Sequence, residues 1–321
     1  MLPPALVPLL EEALDAADFT AFRRMLSHTE LARRELQPLH RLAHAGQLLL
    51  DLDLEDLDRP PAVPEPLRGR LREVALPQQP GPEPVGLLAS LRPTVALLLE
   101  LVALRYRQHD IDQLLVAVHL LAEALPLLAW EDELGHAGDP QRLRRQVLVR
   151  GSLWGTAACP SGGPGARAAR ALRGASQDAG PWQAFLEGEW SNLGTHLTTC
   201  GSCPATCTVA DRGSDELRAR LALGATFRRS ALVRLRHGAT PGHAFAVPAR
   251  DEVDRAWAAS WDRLGQRVPG PLQSDGHPLP GLSALCSAVA GARVPTGTLV
   301  ADVVAALQAA MRVGVPAAAV R

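Results

Sequence analysis

Cysteine and histidine, side chains that often bind transition metals, are concentrated in residues 195–207. Three of the chain's five cysteines, Cys200, Cys203 and Cys207, lie close together, and His196 precedes them by one helical turn. Zinc prefers thiolate sulfur and imidazole nitrogen in tetrahedral sites, and a C-x2-C pair brings two sulfurs to one ion. The H-x3-C-x2-C-x3-C spacing therefore predicts a metal site, which we call the cysteine cluster.

Two residues are candidates for the fourth ligand of this site. His196 is local, whereas Cys159 comes from a separate segment just before Pro160. An ion bound by Cys159 would close a longer loop and remove more entropy from the unfolded chain. We prefer Cys159 because an ion that joins two segments explains why a helical protein keeps such a site. His196 stays the alternative.

The same cysteines are open to chemistry other than structural zinc. An iron–sulfur cluster would use the cysteine cluster together with Cys159 or Cys286, although neither common ferredoxin spacing is present. A redox dithiol would use Cys200 and Cys203, but the βα context of thioredoxin-like motifs is missing. A third alternative is that the cysteines bind nothing. Structural zinc is the favoured interpretation, because four protein ligands leave no coordination position for a reacting water.

Arginines on the N-terminal side of the cysteine cluster are the residues that would contact a nucleic acid. A Gly- and Pro-rich loop, 161–165, leads into a predicted helix, but the Lys-Ser/Thr end of a P-loop is absent. The net charge of −1 argues against a protein that binds polyanions over its whole surface. Nucleic-acid binding is therefore an alternative hypothesis, and it rests on six arginines: Arg142, Arg144, Arg145, Arg167, Arg170 and Arg173.

The composition is typical of a helical globular protein. Hydrophobic residues make up 47% of the 321 residues and aromatic residues only 4%, so Leu, Ala and Val must fill the core. Leu and Ala are strong helix formers. All 33 basic residues are arginine, which indicates the coding bias of a GC-rich bacterial genome.

The sequence also predicts a cytoplasmic location. The N-terminus lacks the basic start and the cleavage site of a signal peptide. The apolar run that begins at residue 95 is interrupted by Glu100 and followed by Arg105 and Arg107, so we expect no membrane span. In a reducing compartment, clustered cysteines are more often metal ligands than disulfides.

Apolar residues recur at helical spacing along most of the chain, which predicts a mainly α fold. An N-terminal domain, 1–150, is predicted to contain several helices and two Pro-rich linkers, 59–66 and 77–84. Its most apolar stretch predicts two buried helices, 95–106 and 111–125, the second closed by Pro126. Gly, Pro, Ser and Trp become frequent after Arg150, so we place a second domain at 151–321.

The second domain is predicted to be helical apart from one minor β-hairpin and the cysteine cluster. Apolar residues alternate with arginines in 231–236, turn residues follow, and the chain returns at 245–247, which predicts the hairpin. Helical spacing predicts helices at 214–223, 251–264, 282–289 and 298–311.

No catalytic motif accompanies these elements. The sequence contains neither G-x-S-x-G nor H-E-x-x-H. His237, His243 and His277 have no local pattern that joins them to a carboxylate. We therefore expect a non-catalytic binding or adaptor protein that acts through a protein partner and contains a structural zinc site. The alternatives are an iron–sulfur or thiol redox enzyme, and a nucleic-acid-binding component of a larger complex.

Overall fold

The protein is mainly helical, as the sequence predicts. The structure, a computed structural model, describes residues 2–29, 33–58, 63–76, 89–134, 215–236, 247–268 and 276–313, and these ranges contain no strand. Their α-helices are α1 (Val7–Asp15), α2 (Phe19–Ser27), α3 (Arg33–Asp51), α4 (Glu65–Val74), α5 (Arg92–Gln108), α6 (Ile111–Leu134), α7 (Asp215–Arg228), α8 (Ala231–Leu235), α9 (Arg250–Leu264), α10 (Leu282–Ala290) and α11 (Leu299–Val313).

The chain divides into two compact units. Unit 1 comprises Met1–Leu76 and Gly297–Arg321, and unit 2 comprises Pro77–Thr296. Unit 1 therefore contains α1 to α4 and α11, whereas unit 2 contains α5 to α10. The predicted boundary near residue 150 lies outside the described residues, so the division into 1–150 and 151–321 stays a prediction.

Unit 1 is built on the packing of α3 against α2 and α11. The Asp18 side chain accepts a hydrogen bond from the Ala21 amide at 2.8 Å and so begins α2, a role in which Asp is favoured. Phe19 and Phe22 of α2 are fully buried. Arg70 of α4 forms an ion pair with Asp302 of α11. The C-terminal helix α11 is therefore part of the N-terminal unit.

Unit 2 is organised around α6, which packs against α5, α7, α8 and α10. Within α6, residues Ile111–Asp132 are long and apolar enough to cross a membrane by length and composition, contrary to our expectation that no such run exists. However, 67% of the residues in this stretch are buried inside the protein. Its apolar character is therefore that of a core helix that packs against other helices.

The helix α6 also continues beyond the point where the sequence predicts its end. We expected Pro126 to close it, but α6 runs through Pro126 to Leu134. Proline removes one backbone hydrogen bond from a helix. The residues that follow it, including Leu127, Leu128 and Trp130, are buried, and their burial offsets this cost.

A buried carboxylate joins α6 to the start of α5. Glu131 is 6% exposed, and its two carboxylate oxygens accept hydrogen bonds from the Ser90 hydroxyl at 2.6 Å and the Leu91 amide at 2.8 Å. A negative charge at a helix N-terminus also interacts favourably with the helix dipole. Glu131 therefore satisfies the buried Leu91 amide, which would otherwise lack a partner, and also accepts from the half-buried Ser90 hydroxyl.

Arg220 of α7 makes a second polar connection to α6. Its guanidinium contacts Asp132 at 2.7 Å and Glu216 at 2.6 Å. Burial lowers the pKa of Arg220, but the hydrogen bonds and charges of these two carboxylates outweigh it, so the pKa is raised. The guanidinium also lies over Gly291, where a side chain would collide with it.

The predicted first strand of the β-hairpin, residues 231–236, is wrong. Residues Ala231–Leu235 form helix α8, and the Ser230 side chain accepts a hydrogen bond from the Val233 amide at its first turn. Leu232 and Val233 are both buried although they are adjacent, which a helix allows and a half-buried strand does not. The predicted turn, residues 237–242, lies outside the described residues.

Two glycines at helix contacts give a matched test of this packing. A methyl group on Gly46 of α3 would lie 2.5 Å from the buried ring of Phe19, whereas one on Gly224 of α7 would lie no closer than 3.7 Å to the backbone and side chain of α6. We expect Gly46→Ala to lower the free energy of unfolding by about 1 to 2 kcal/mol, because overpacking outweighs the better helix propensity of Ala.

The Gly224→Ala variant is the control for this test. We expect it to raise the free energy of unfolding by up to about 1 kcal/mol, because Ala favours helix and the space is available. Urea unfolding followed by circular dichroism measures both values. Stabilisation by Gly46→Ala, or equal effects of the two substitutions, would contradict the described contact with Phe19.

Candidate anion-binding site

The residues of the predicted metal site lie outside the described part of the chain. This applies to Cys159, His196, Cys200, Cys203 and Cys207, and also to the six arginines of the nucleic-acid hypothesis: Arg142, Arg144, Arg145, Arg167, Arg170 and Arg173. Among the described residues, no group of three or more His, Cys, Asp or Glu side chains is placed to hold a metal ion. The zinc and nucleic-acid hypotheses therefore stay predictions.

The fifth cysteine is part of a hydrophobic core. Cys286 of α10 is completely buried, as are its neighbours Leu282, Leu285 and Val289. Burial raises the pKa of the Cys286 thiol, so the neutral form is favoured. Metal ligation requires the thiolate, and this environment therefore suits Cys286 to packing rather than to an iron–sulfur cluster.

The structure brings together a different group of functional side chains, four arginines, around a cleft in unit 2. Its volume is about 460 Å³, within the range of small-ligand sites. Among the described residues that line it, four are arginines and none is Asp or Glu, so their formal charge is +4. We call this site the arginine cleft. Its charged residues are Arg229, Arg234, Arg263 and Arg267.

Three elements of unit 2 build the arginine cleft. Helix α7 ends at Arg228, and the turn that follows carries Arg229. Helix α8 carries Arg234, and the C-terminal end of α9 with the turn after it carries Arg263 and Arg267. Helix α9 packs against both α7 and α8. The site therefore depends on the contacts that hold the end of α7, helix α8 and the end of α9 together.

Ser260 joins α8 to α9 at the base of the arginine cleft. Its hydroxyl donates to the Ala256 carbonyl at 2.6 Å and accepts from the Leu232 amide at 3.1 Å. Ser260 is 3% exposed, so both bonds are made away from bulk water. An unsatisfied buried amide costs roughly 1–3 kcal/mol, and this pairing therefore fixes the first turn of α8 against α9.

A hydrogen bond to helix α7 holds Arg267 in place. One of its guanidinium nitrogens donates to the Thr226 hydroxyl of α7 at 3.1 Å, and that hydroxyl donates to the Ala222 carbonyl at 2.7 Å. Neither contact neutralises the charge of Arg267. Arg267 therefore keeps its full positive charge at the lining of the cleft.

The cleft arginines differ from several others of unit 2 in their surroundings. Arg92, Arg105, Arg220 and Arg255 each form an ion pair with a carboxylate. No carboxylate of the described residues forms an ion pair with Arg229, Arg234, Arg263 or Arg267, and all four are exposed. Four like charges on one concave surface repel one another, and a bound anion would relieve that repulsion.

The neutral polar groups of the cleft are also placed to donate. The Ser230 hydroxyl accepts from the Val233 amide at 3.3 Å, and its own proton has no acceptor among the described residues. The side-chain amide of Gln266 adds two N–H donors. Guanidinium groups present five N–H donors each and bind carboxylate or phosphate oxygens in pairs. This arrangement can bind an anion whose atoms are hydrogen-bond acceptors.

These four arginines were not predicted from the sequence as a site. The predicted strand at 231–236 puts Arg234 and Arg236 on one face of a hairpin and does not connect either of them to Arg263 or Arg267. The signal that was present is the density of arginine in residues 228–236 together with the spacing of four between Arg263 and Arg267. That spacing places two side chains on one side of a helix end.

Comparison with known proteins adds no further information about this site: no family model, curated protein or solved structure matches the chain.

Proposed function

We propose that the protein is a non-catalytic binding or adaptor protein that recognises an anionic group of its partner in the arginine cleft. The observation that supports this proposal is the described part of the cleft's lining, which combines four arginines without a carboxylate. Arginine is the side chain best suited to paired hydrogen bonds with carboxylate or phosphate groups. A cleft that concentrates four of them attracts an anion and orients it.

A role in binding agrees with the side chains that are present. The hydroxyls of Ser230 and Ser260 are engaged by backbone amides, and the lining of the cleft includes no His, Asp or Glu that would act as a general base. A serine nucleophile needs such a base within hydrogen-bond distance. The described lining is therefore equipped to hold an anion rather than to transform it.

The cysteine cluster is the second part of the proposal. We propose that Cys200, Cys203 and Cys207 bind a structural zinc ion, with Cys159 as the fourth ligand and His196 as the alternative. The support is the ligand spacing in the sequence. In this account the zinc ion stabilises the segment between α6 and α7 and takes no part in chemistry.

The anion-binding role is tested by thermal unfolding in the presence of multivalent anions. We expect sodium citrate and sodium pyrophosphate to raise the melting temperature of the wild-type protein, relative to sodium chloride of the same ionic strength. A ligand that binds only the folded state stabilises it by mass action. The double variant Arg234→Ala/Arg263→Ala should lose this stabilisation.

The matched control for this test is Arg107→Ala/Arg293→Ala. Both arginines are exposed and lie outside the lining of the cleft, and the variant loses the same two positive charges. We expect it to respond to the anions as the wild type does. Equal responses of the two double variants, or no response of the wild type to either anion, would refute the proposed function.

The zinc site is tested by zinc content and melting temperature in two single variants. We expect wild-type protein to contain about one zinc ion per chain, as four protein ligands imply. Cys159→Ser should lose the ion and melt at a lower temperature, because the longer loop is no longer closed. Full zinc retention in Cys159→Ser together with loss in His196→Ala would show that His196 is the fourth ligand. A brown protein containing iron would instead support the cluster alternative.

A further inference from the structure

We infer that the arginine cleft binds a diphosphate or longer phosphate group, either inorganic or carried by a nucleotide. This inference rests on the proposed function, since it names the class of anion that the same cleft takes. Four properties lead to it: the charge of the cleft, its hydrogen-bonding groups, the absence of an aromatic residue from the described lining, and the charge of the surrounding surface.

The charge of the cleft exceeds what a single phosphoryl group neutralises. A phosphoryl group carries about −1.5 to −2 at neutral pH. One such group would leave a charge of about +2 on a lining whose formal charge is +4. Two linked phosphoryl groups balance the four guanidinium groups. Charge complementarity therefore favours a diphosphate over a monophosphate.

The hydrogen-bonding groups of the cleft favour phosphate over carboxylate. Among the described residues, the guanidinium groups of Arg229, Arg234 and Arg263 have no carboxylate partner, and the Ser230 hydroxyl has no acceptor for its proton. A carboxylate offers two acceptor oxygens, whereas the terminal phosphoryl of a diphosphate offers three. A surface dense in donors is thus matched best by a group with many acceptor oxygens and few or no donors.

The described lining has no aromatic residue on which a nucleobase would stack. Its neutral members are Thr226, Ser230, Ala231, Ala259, Ser260 and Gln266. Base stacking on aromatic rings supplies much of the affinity of proteins that bind single-stranded nucleic acid. The cleft is therefore suited to the phosphate part of a ligand, and a nucleoside attached to it should change the affinity little.

The surroundings of the cleft favour a small ligand over a long polyanion. Outside the cleft, helix α9 exposes four carboxylates and two arginines, so the formal charge of this surface is −2; these residues are Asp251, Glu252, Asp254, Asp262, Arg250 and Arg255. A polymer that extends from the cleft along α9 would meet these carboxylates and be repelled. The positive charge is therefore confined to the cleft, which favours a short phosphate chain over a long polyanion.

The test is isothermal titration calorimetry at neutral pH and constant ionic strength with orthophosphate, pyrophosphate, ADP and citrate. We expect pyrophosphate to bind about tenfold or more tightly than orthophosphate and citrate, because a second phosphoryl group makes additional charge-assisted hydrogen bonds. ADP should bind within a few-fold of pyrophosphate. Much weaker binding of ADP would also support diphosphate recognition and would identify an inorganic ligand.

A second variant separates charge from geometry. Arg234→Lys/Arg263→Lys keeps the formal charge of the cleft but replaces two planar guanidinium groups, which bind phosphate through paired hydrogen bonds, by compact ammonium groups. We expect this variant to bind pyrophosphate about tenfold less tightly than the wild type while its melting temperature in sodium chloride stays unchanged. Undiminished pyrophosphate binding by this variant would overturn paired recognition of the phosphoryl groups and with it the inference.

Two results distinguish failure of this inference from failure of the proposed function. Equal affinity for pyrophosphate, orthophosphate and citrate, lost in Arg234→Ala/Arg263→Ala, would overturn the diphosphate inference and leave an anion site in place. No heat of binding with any of the four anions, together with no thermal stabilisation, would overturn both.

Discussion

The burial of α6 is the physical constraint on which the described part of unit 2 depends. Leu114, Leu121, Leu125 and Leu128 of this helix are completely buried, and a buried leucine contributes roughly 1.5–3 kcal/mol relative to an exposed one. The helix meets α5, α7, α8 and α10, so each of these elements buries its apolar side against the same core. This common core explains why α6 tolerates Pro126 in its interior, since many apolar contacts outweigh one missing hydrogen bond.

The arginine cleft follows from this packing. Helices α7 and α8 both pack against α6. Ser260 then connects α8 to α9 through a buried hydrogen bond. Four guanidinium groups are thereby brought to one surface although like charges repel one another. Natural proteins often keep such local conflicts where a ligand binds.

The sequence predicted the parts of the fold that depend on long apolar periodicity. The helices α5, α9, α10 and α11 follow the predicted ranges within a few residues, because each contains apolar residues at helical spacing over at least two turns. The predictions failed where tertiary packing decides. The segment Ala231–Leu235 is compatible with a strand or a helix, and the cap by Ser230 together with the contacts of α8 with α6 and α9 fixes it as a helix. The cleft could not be predicted for a related reason. Arg229 and Arg263 are distant in the sequence, and every basic residue of this chain is arginine, so the sequence does not distinguish binding arginines from the others.

The central claim is that Arg229, Arg234, Arg263 and Arg267 form one site for an anion. It is tested most directly by nuclear magnetic resonance of the arginine Nε–H groups, assigned with single Arg→Lys variants, during a titration with pyrophosphate. The account predicts that these four resonances shift together with one saturation curve, while those of the exposed Arg107 and Arg293 stay in place. Shifts of equal size at Arg107 and Arg293, or unchanged resonances from the four cleft arginines at saturating pyrophosphate, would contradict it.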